Sequence, residues 1–125
     1  MSKPTESELE ILQLLWELGP TTVRAVNERL NERREVGYTT TLKMMQIMSE
    51  KGLVSRQEDA RTHIYTAAAD EQATKGLLLH QFVHAAFRGS ATQMVLQALG
   101  NHEATPEELH EIKALITQIE QSQKL

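Results

Sequence analysis

The stretch VGYTTTLKMMQIMSEKGLV, Val36 to Val54, decides how this chain is read. It holds three consecutive threonines, a methionine cluster and a Lys-Gly stop. A helix starting near Tyr38 or Thr39 and advancing about 100° per residue puts Thr41, Met44, Met45 and Met48 in one sector. Thr39, Lys43, Gln46 and Glu50 take the roughly opposite sector, with Thr40 and Ile47 at its edge. One side therefore suits a core. The other offers short or flexible hydrogen-bonding groups. Helical spacing in a core also accounts for Met44, Met45 and Met48 better than soft-metal ligation does.

The residues before this stretch set two more helices in front of it. Thr5-Glu-Ser-Glu8 has capping-box spacing, so a helix begins there. Leu9, Ile11, Leu12, Leu15, Trp16 and Leu18 then fall largely on one side until Gly19-Pro20 ends the run. Thr22 caps a short amphipathic helix with Val23, Val26 and Leu30 on its apolar face, and the charged NERR region leads to a turn at Gly37. After Gly52 the period changes. Leu53 to Gln57 and Thr62 to Thr66 are β-prone runs around Glu58-Asp59-Ala60-Arg61, which reads as a hairpin with a polar tip. Three helices followed by a hairpin make a winged helix-turn-helix.

That order gives the polar face of the third helix a purpose. A helix in the DNA major groove must bond base edges or phosphates without bulk. Threonine offers a hydroxyl and a methyl, glutamine pairs with adenine, and lysine suits guanine or phosphate. Thr39, Thr40, Lys43 and Gln46 are the expected reading residues. Arg56, Arg61 and His63 on the wing, and Arg24 near the start of the second helix, are expected where a backbone or minor groove passes. The competing reading is that all of these are solvated polar faces.

Charge argues only mildly for nucleic acid. The chain carries a formal net charge of -4. Between Pro20 and Thr66, however, eight Lys or Arg face six acids, while Ala67 to Leu125 has four bases and seven acids. The absence of cysteine removes disulfides, thiolate nucleophiles and cysteine-based zinc or copper sites. No apolar run approaches the roughly 20 residues of a membrane span. The start, MSKPTESELE, lacks the build of a signal peptide, so no membrane insertion and a cytoplasmic protein are expected.

The second half reads as a helical arm. Glu71 to Phe87 places Leu77, Leu78, Val83, Ala86 and Phe87 among polar residues. Gly89-Ser90 breaks and restarts the helix, and Gly100-Asn101 stops it. Thr105-Pro106-Glu107-Glu108 is a capping box with proline at the first helical position. Three such helices have too little internal surface to fold well alone, so their apolar stripes are expected to pack on a second copy. Packing on the winged helix of the same chain is the alternative. The residues expected at the dimer contact are Leu78, Phe82, Phe87, Val95, Leu99, Leu109, Ile112, Leu115, Ile116 and Ile119. The expected division is 1–69, a winged helix-turn-helix DNA-binding domain, and 70–125, a three-helix dimerisation region; the fold class is mainly α with one small β-hairpin.

ESELEILQLLWELGPTTVRAVNERL, VGYTTTLKMMQIMSEKGLVSR, THIYTAA and AFRGSATQMVLQAL, in that order and spacing, resemble the penicillinase-repressor family of BlaI, MecI and CopY type over nearly the whole chain. The resemblance implies a homodimeric transcriptional repressor, with one winged helix on each half of a palindromic double-stranded DNA operator and a C-terminal helical dimerisation arm. It further implies release by proteolysis in that arm, linked to a membrane-bound sensor metalloprotease. In the antibiotic-resistance members the cut falls at an Asn-Phe bond. The corresponding region here, Phe87 to Val95, keeps the helix break but has no Asn-Phe, so the scissile bond does not carry over. Copper-responsive relatives use C-terminal cysteines that this chain lacks.

Other motifs lead to no enzyme, metal or cofactor. His80-Gln-Phe-Val-His84 has the histidine spacing of the zinc-protease helix, but Gln81 stands where the general base would be. A structural or interface role suits the pair better than a noncatalytic metal site completed by other ligands. His102 and His110 have no visible partners in sequence, and no phosphate-binding glycine loop, carboxylate pair or nucleophile constellation occurs. Two alternatives to an operator-binding repressor stay open: a winged-helix protein-interaction module, and a small-ligand-responsive regulator.

Overall fold

The computed structural model describes residues 3–59, 62–101 and 104–124. Its elements run α1 (Glu6–Leu18), α2 (Val23–Asn31), α3 (Tyr38–Glu50), β1 (Val54–Asp59), β2 (Thr62–Ala67), α4 (Glu71–Phe87), α5 (Ala91–Gly100) and α6 (Pro106–Ser122). The chain forms two compact units, Met1–Leu78 and Leu79–Leu125. The division falls within α4, whose first two turns belong to the first unit; residue 70, where the arm was expected to begin, lies just before that helix.

The local signals produce the starts they imply. At α1 the Thr5 hydroxyl accepts from the Glu8 N–H at 3.2 Å, and the Glu8 carboxylate accepts from the Thr5 N–H at 2.9 Å. Thr22 caps α2, Ser90 caps α5, and Thr105 with Glu108 forms a second capping box at α6. Gly19 ends α1 at φ +76°, with its N–H on the Leu15 carbonyl. The wing is longer than its sequence suggests. β1 continues through Asp59, so Glu58 and Asp59 pair with His63 and Thr62 instead of forming the tip.

The core of the first unit gathers Ile11, Leu12, Leu14 and Leu15 of α1, Val23, Val26 and Leu30 of α2, Met45 and Met48 of α3, then Leu53, Val54, Tyr65 and Ala69. Leu14 joins this core, whereas Leu18 is left exposed and Trp16 sits half-buried at the rim. The Trp16 indole N–H donates to the Ala69 carbonyl at 3.0 Å, tying α1 to the chain just before α4. Thr74, in the second turn of α4, is buried in this unit and its hydroxyl has no hydrogen-bond partner. Tyr65 is paired on both sides: it faces Arg56 in the β1–β2 ladder, and its N–H and carbonyl bond Thr21 at 2.8 and 3.0 Å.

The second unit is built otherwise. Among its described residues Val83 is the one buried hydrophobic, and neither α5 nor α6 has a buried residue. Phe82, Val95, Leu109, Leu115, Ile116 and Ile119 are exposed; Phe87, Leu99 and Ile112 are half-covered, as is Leu78 at the end of the first unit. Between α4 and α5 two successive residues, Arg88 at φ 53° and Gly89 at φ 86°, are left-handed, a conformation that costs a side-chain-bearing residue about 1 kcal/mol.

Candidate nucleic-acid interface

The turn between α2 and α3 is fixed by two asparagines. Asn27 Nδ2 donates to the Val36 carbonyl at 3.0 Å and to the Thr41 hydroxyl at 2.9 Å. Asn31 Nδ2 donates to the Asn27 carbonyl at 2.7 Å and to the Val36 carbonyl at 2.9 Å, while its Oδ1 accepts from the Val36 N–H at 3.1 Å. Side chains here do the work of a backbone turn, so the angle at which α3 leaves α2 is set before any ligand binds.

The three threonines then part company. Thr41 is fully buried, and its hydroxyl is satisfied by Asn27, so it belongs to the scaffold. Thr39 and Thr40 are exposed, as are Lys43, Gln46, Ile47 and Glu50. Met45 and Met48 lie in the core, with Met44 half-buried at its edge. The expected polar arc of α3 therefore forms one continuous solvent-facing strip.

Ion pairs redistribute the charge. Lys51 Nζ lies 2.9 and 3.0 Å from the two oxygens of buried Glu8, Arg29 pairs with Glu17 at 3.1 Å, and Arg33 and Arg34 both meet Glu10. Burial alone would raise the Glu8 carboxyl pKa. The Thr5 N–H and the Lys51 ammonium outweigh it and hold the pKa below the ordinary value. Arg29, Arg33, Arg34 and Lys51, among the described residues, are thus held in ion pairs within the fold. Among the described residues, Arg24 and Lys43 have no ion-pair partner.

The wing and α2 meet near the start of α3. Thr22, Val23, Arg24, Tyr38, Leu42, Thr62 and His63 line one open cleft of about 460 Å³. Arg24 and His63, distant in sequence, share this cleft. Arg56 is exposed on β1, and Arg61 lies outside the described residues. The ten residues expected at a dimer contact, by contrast, are spread over α4, α5 and α6.

Comparison with known proteins bears on what this arrangement serves. The penicillinase repressor family profile matches residues 4–118. The chain belongs to the penicillinase repressor family. The penicillinase repressor of Bacillus licheniformis is 23% identical over 112 residues, which is 90% of this chain and 88% of that protein. The transcriptional regulator BlaI of Mycobacterium tuberculosis is 33% identical over 85 residues, 66% of this chain and 62% of that protein. Among solved structures, a ZitR variant from Lactococcus lactis aligns with a TM-score of 0.49 and 22% identity, covering 98% of this chain and 77% of that one. A probable transcriptional regulator from Pseudomonas aeruginosa aligns with a TM-score of 0.47 and 19% identity, covering 93% of this chain and 78% of that one.

As a penicillinase-repressor family member, the chain is a DNA-binding transcriptional regulator of the repressor type and not an enzyme. No helix among the described residues is long and apolar enough to cross a membrane. His80 and His84 stack edge to face with ring centroids 4.5 Å apart, and among the described residues no group of three metal-ligating side chains occurs. Sequence reasoning missed Tyr38, which is half exposed at the start of α3 and shares the cleft with Arg24 and His63. An aromatic residue opening α3 was the available signal. It also missed Asn27 and Asn31, whose partners are set by the turn and not by helical period.

Proposed function

We propose that this family member is a homodimeric repressor that lays α3 of each winged helix in the major groove of one half of a palindromic operator. The observation that carries the reading is the continuous polar strip Thr39, Thr40, Lys43 and Gln46 on a helix whose opposite face is buried. Those four residues read bases. Arg24, Arg56, Arg61 and His63 hold the backbone. Residues 1–69 carry the DNA contacts and 70–125 the dimer contact. The exposed apolar side chains of α4 to α6 support a second copy as their cover, since removing apolar surface from water favours association.

Release by proteolysis between Phe87 and Val95, at the end of a pathway from a membrane-bound sensor metalloprotease, completes the reading. The two left-handed residues Arg88 and Gly89 are exposed and lie between helices, where a protease can take an extended substrate with little unfolding. A cut there divides the dimer contact, and operator affinity falls with it.

A mobility-shift titration of the full chain against its own upstream DNA and against random duplex, at several salt concentrations, tests the core of this proposal. A salt-sensitive preference for the upstream DNA is expected, with one dimer per operator by sedimentation. Equal binding to random duplex would overturn it. Immunoblots of induced cells test the release step: a full-length repressor that persists through derepression refutes proteolysis.

A further inference from the structure

The polar strip of α3 contains one side chain that does not fit it. Ile47 is 39% exposed, four residues after Lys43 and three before Glu50, and roughly opposite the buried Met45 around the helix. The buried face of α3 is filled by Thr41, Met45 and Met48, with Met44 half-buried at its edge, and Ile47 lies outside that set. A β-branched aliphatic side chain is stiff and has no polar group to offer phosphate or a base edge by hydrogen bonding. In the major groove one base carries an apolar group at its edge: thymine, through its 5-methyl.

We infer that Ile47 reads thymine, packing its aliphatic edge against a 5-methyl group while Lys43 and Gln46 take the neighbouring polar edges. This rests on the reading of α3 as the groove helix. Ile47 lies about 10 Å along the helix from Thr40, at 1.5 Å per residue. That distance is roughly three base-pair steps of about 3.4 Å, so the two residues face different base pairs. Ile47 thereby adds a position of sequence preference that hydrogen-bonding residues alone leave open.

Deoxyuridine keeps every hydrogen-bonding group of thymine and lacks only the methyl, which makes the contact testable in isolation. The full chain first selects its preferred duplex from a random pool, and each thymine is then replaced singly. At one thymine the substitution is expected to weaken binding about three- to fivefold, the contribution of one buried methyl. Ile47→Ala abolishes that difference, Ile47→Val keeps part of it, and Lys43→Ala leaves the ratio unchanged. Uniform tolerance of deoxyuridine, or a ratio that survives in Ile47→Ala, overturns the assignment. If the groove reading itself is wrong, Lys43→Ala and Gln46→Ala also leave base preference untouched. If only the thymine contact is wrong, those two variants still alter it.

Discussion

The two units of this chain are both helical, yet they keep their apolar side chains in opposite places. In the first, thirteen hydrophobic residues from three helices, the wing and its flanks close over one another. In the second, Val83 alone is buried among the described hydrophobics, and leucines and isoleucines recur along open helix faces. The difference is one of independence. A unit that closes its own core has a stability fixed by its sequence. One that leaves its stripes open has a stability that depends on what covers them, and with the proposed second copy as cover it depends on concentration.

The largest effect should come from opening the closed core. Leu12 is fully buried, and Leu12→Ala is expected to cost about 2–5 kcal/mol in urea unfolding, independent of protein concentration. Ile116 is half exposed, and Ile116→Ala should instead leave a loss that grows on dilution and a raised dimer dissociation constant by sedimentation. Equal, concentration-independent losses at both sites would erase the contrast between the units.

Next comes the division of labour on the DNA side. Gln46→Ala should relax preference at one base pair and cost about 1–3 kcal/mol in operator binding. Arg24→Ala should weaken binding to all sequences and lower the salt slope by about one. Both are read from titrations at several salt concentrations. An Arg24 variant that changes base preference would merge the two roles assigned here.

A smaller effect of opposite sign is expected inside the first unit. The buried Thr74 hydroxyl lacks a partner, so Thr74→Val, which keeps the shape, should stabilise by about 1 kcal/mol. A loss in thermal unfolding would show that the hydroxyl is satisfied in solution.

The mildest probe is pH. The folded-state pKa of Glu8 lies below its unfolded value, so its ionised form stabilises the fold at neutral pH. That contribution should fade as pH falls from the ordinary carboxylate range through the lowered folded value. Glu8→Gln should flatten stability over that acidic window, and an unchanged pH profile would assign the acid sensitivity elsewhere.

Sequence showed best what is decided locally. Capping boxes at Thr5 and Thr105, the break at Gly89 and the period change after Gly52 each lie within a few residues of their consequence; the helices stand where those signals put them, and the hairpin follows Gly52 with a longer first strand than expected. Periodicity also gave the buried and exposed faces of α3, including the burial of Thr41. It could not show that Glu8 reaches Lys51, that Trp16 reaches Ala69, or that Arg24 and His63 share a cleft with Tyr38. The first two pairings join residues 43 and 53 positions apart, and no local rule specifies any of the three. For the same reason the burial of Thr74, in the second turn of α4, was not legible in the sequence.

Tyr65 has a consequence for how the wing can change over evolutionary time. Both backbone groups of Tyr65 are committed to Thr21, and its ring is buried. A slip of β2 by one residue would turn those groups toward β1 and carry the ring out to solvent. The root of the wing is therefore locked in register by the segment between α1 and α2, not by its own turn. Residues can be inserted or lost beyond Asp59 and Thr62 without disturbing that lock, whereas a single deletion between Gly19 and Thr22 would unseat it. Length variation among relatives should gather at the wing tip and be excluded from that four-residue segment.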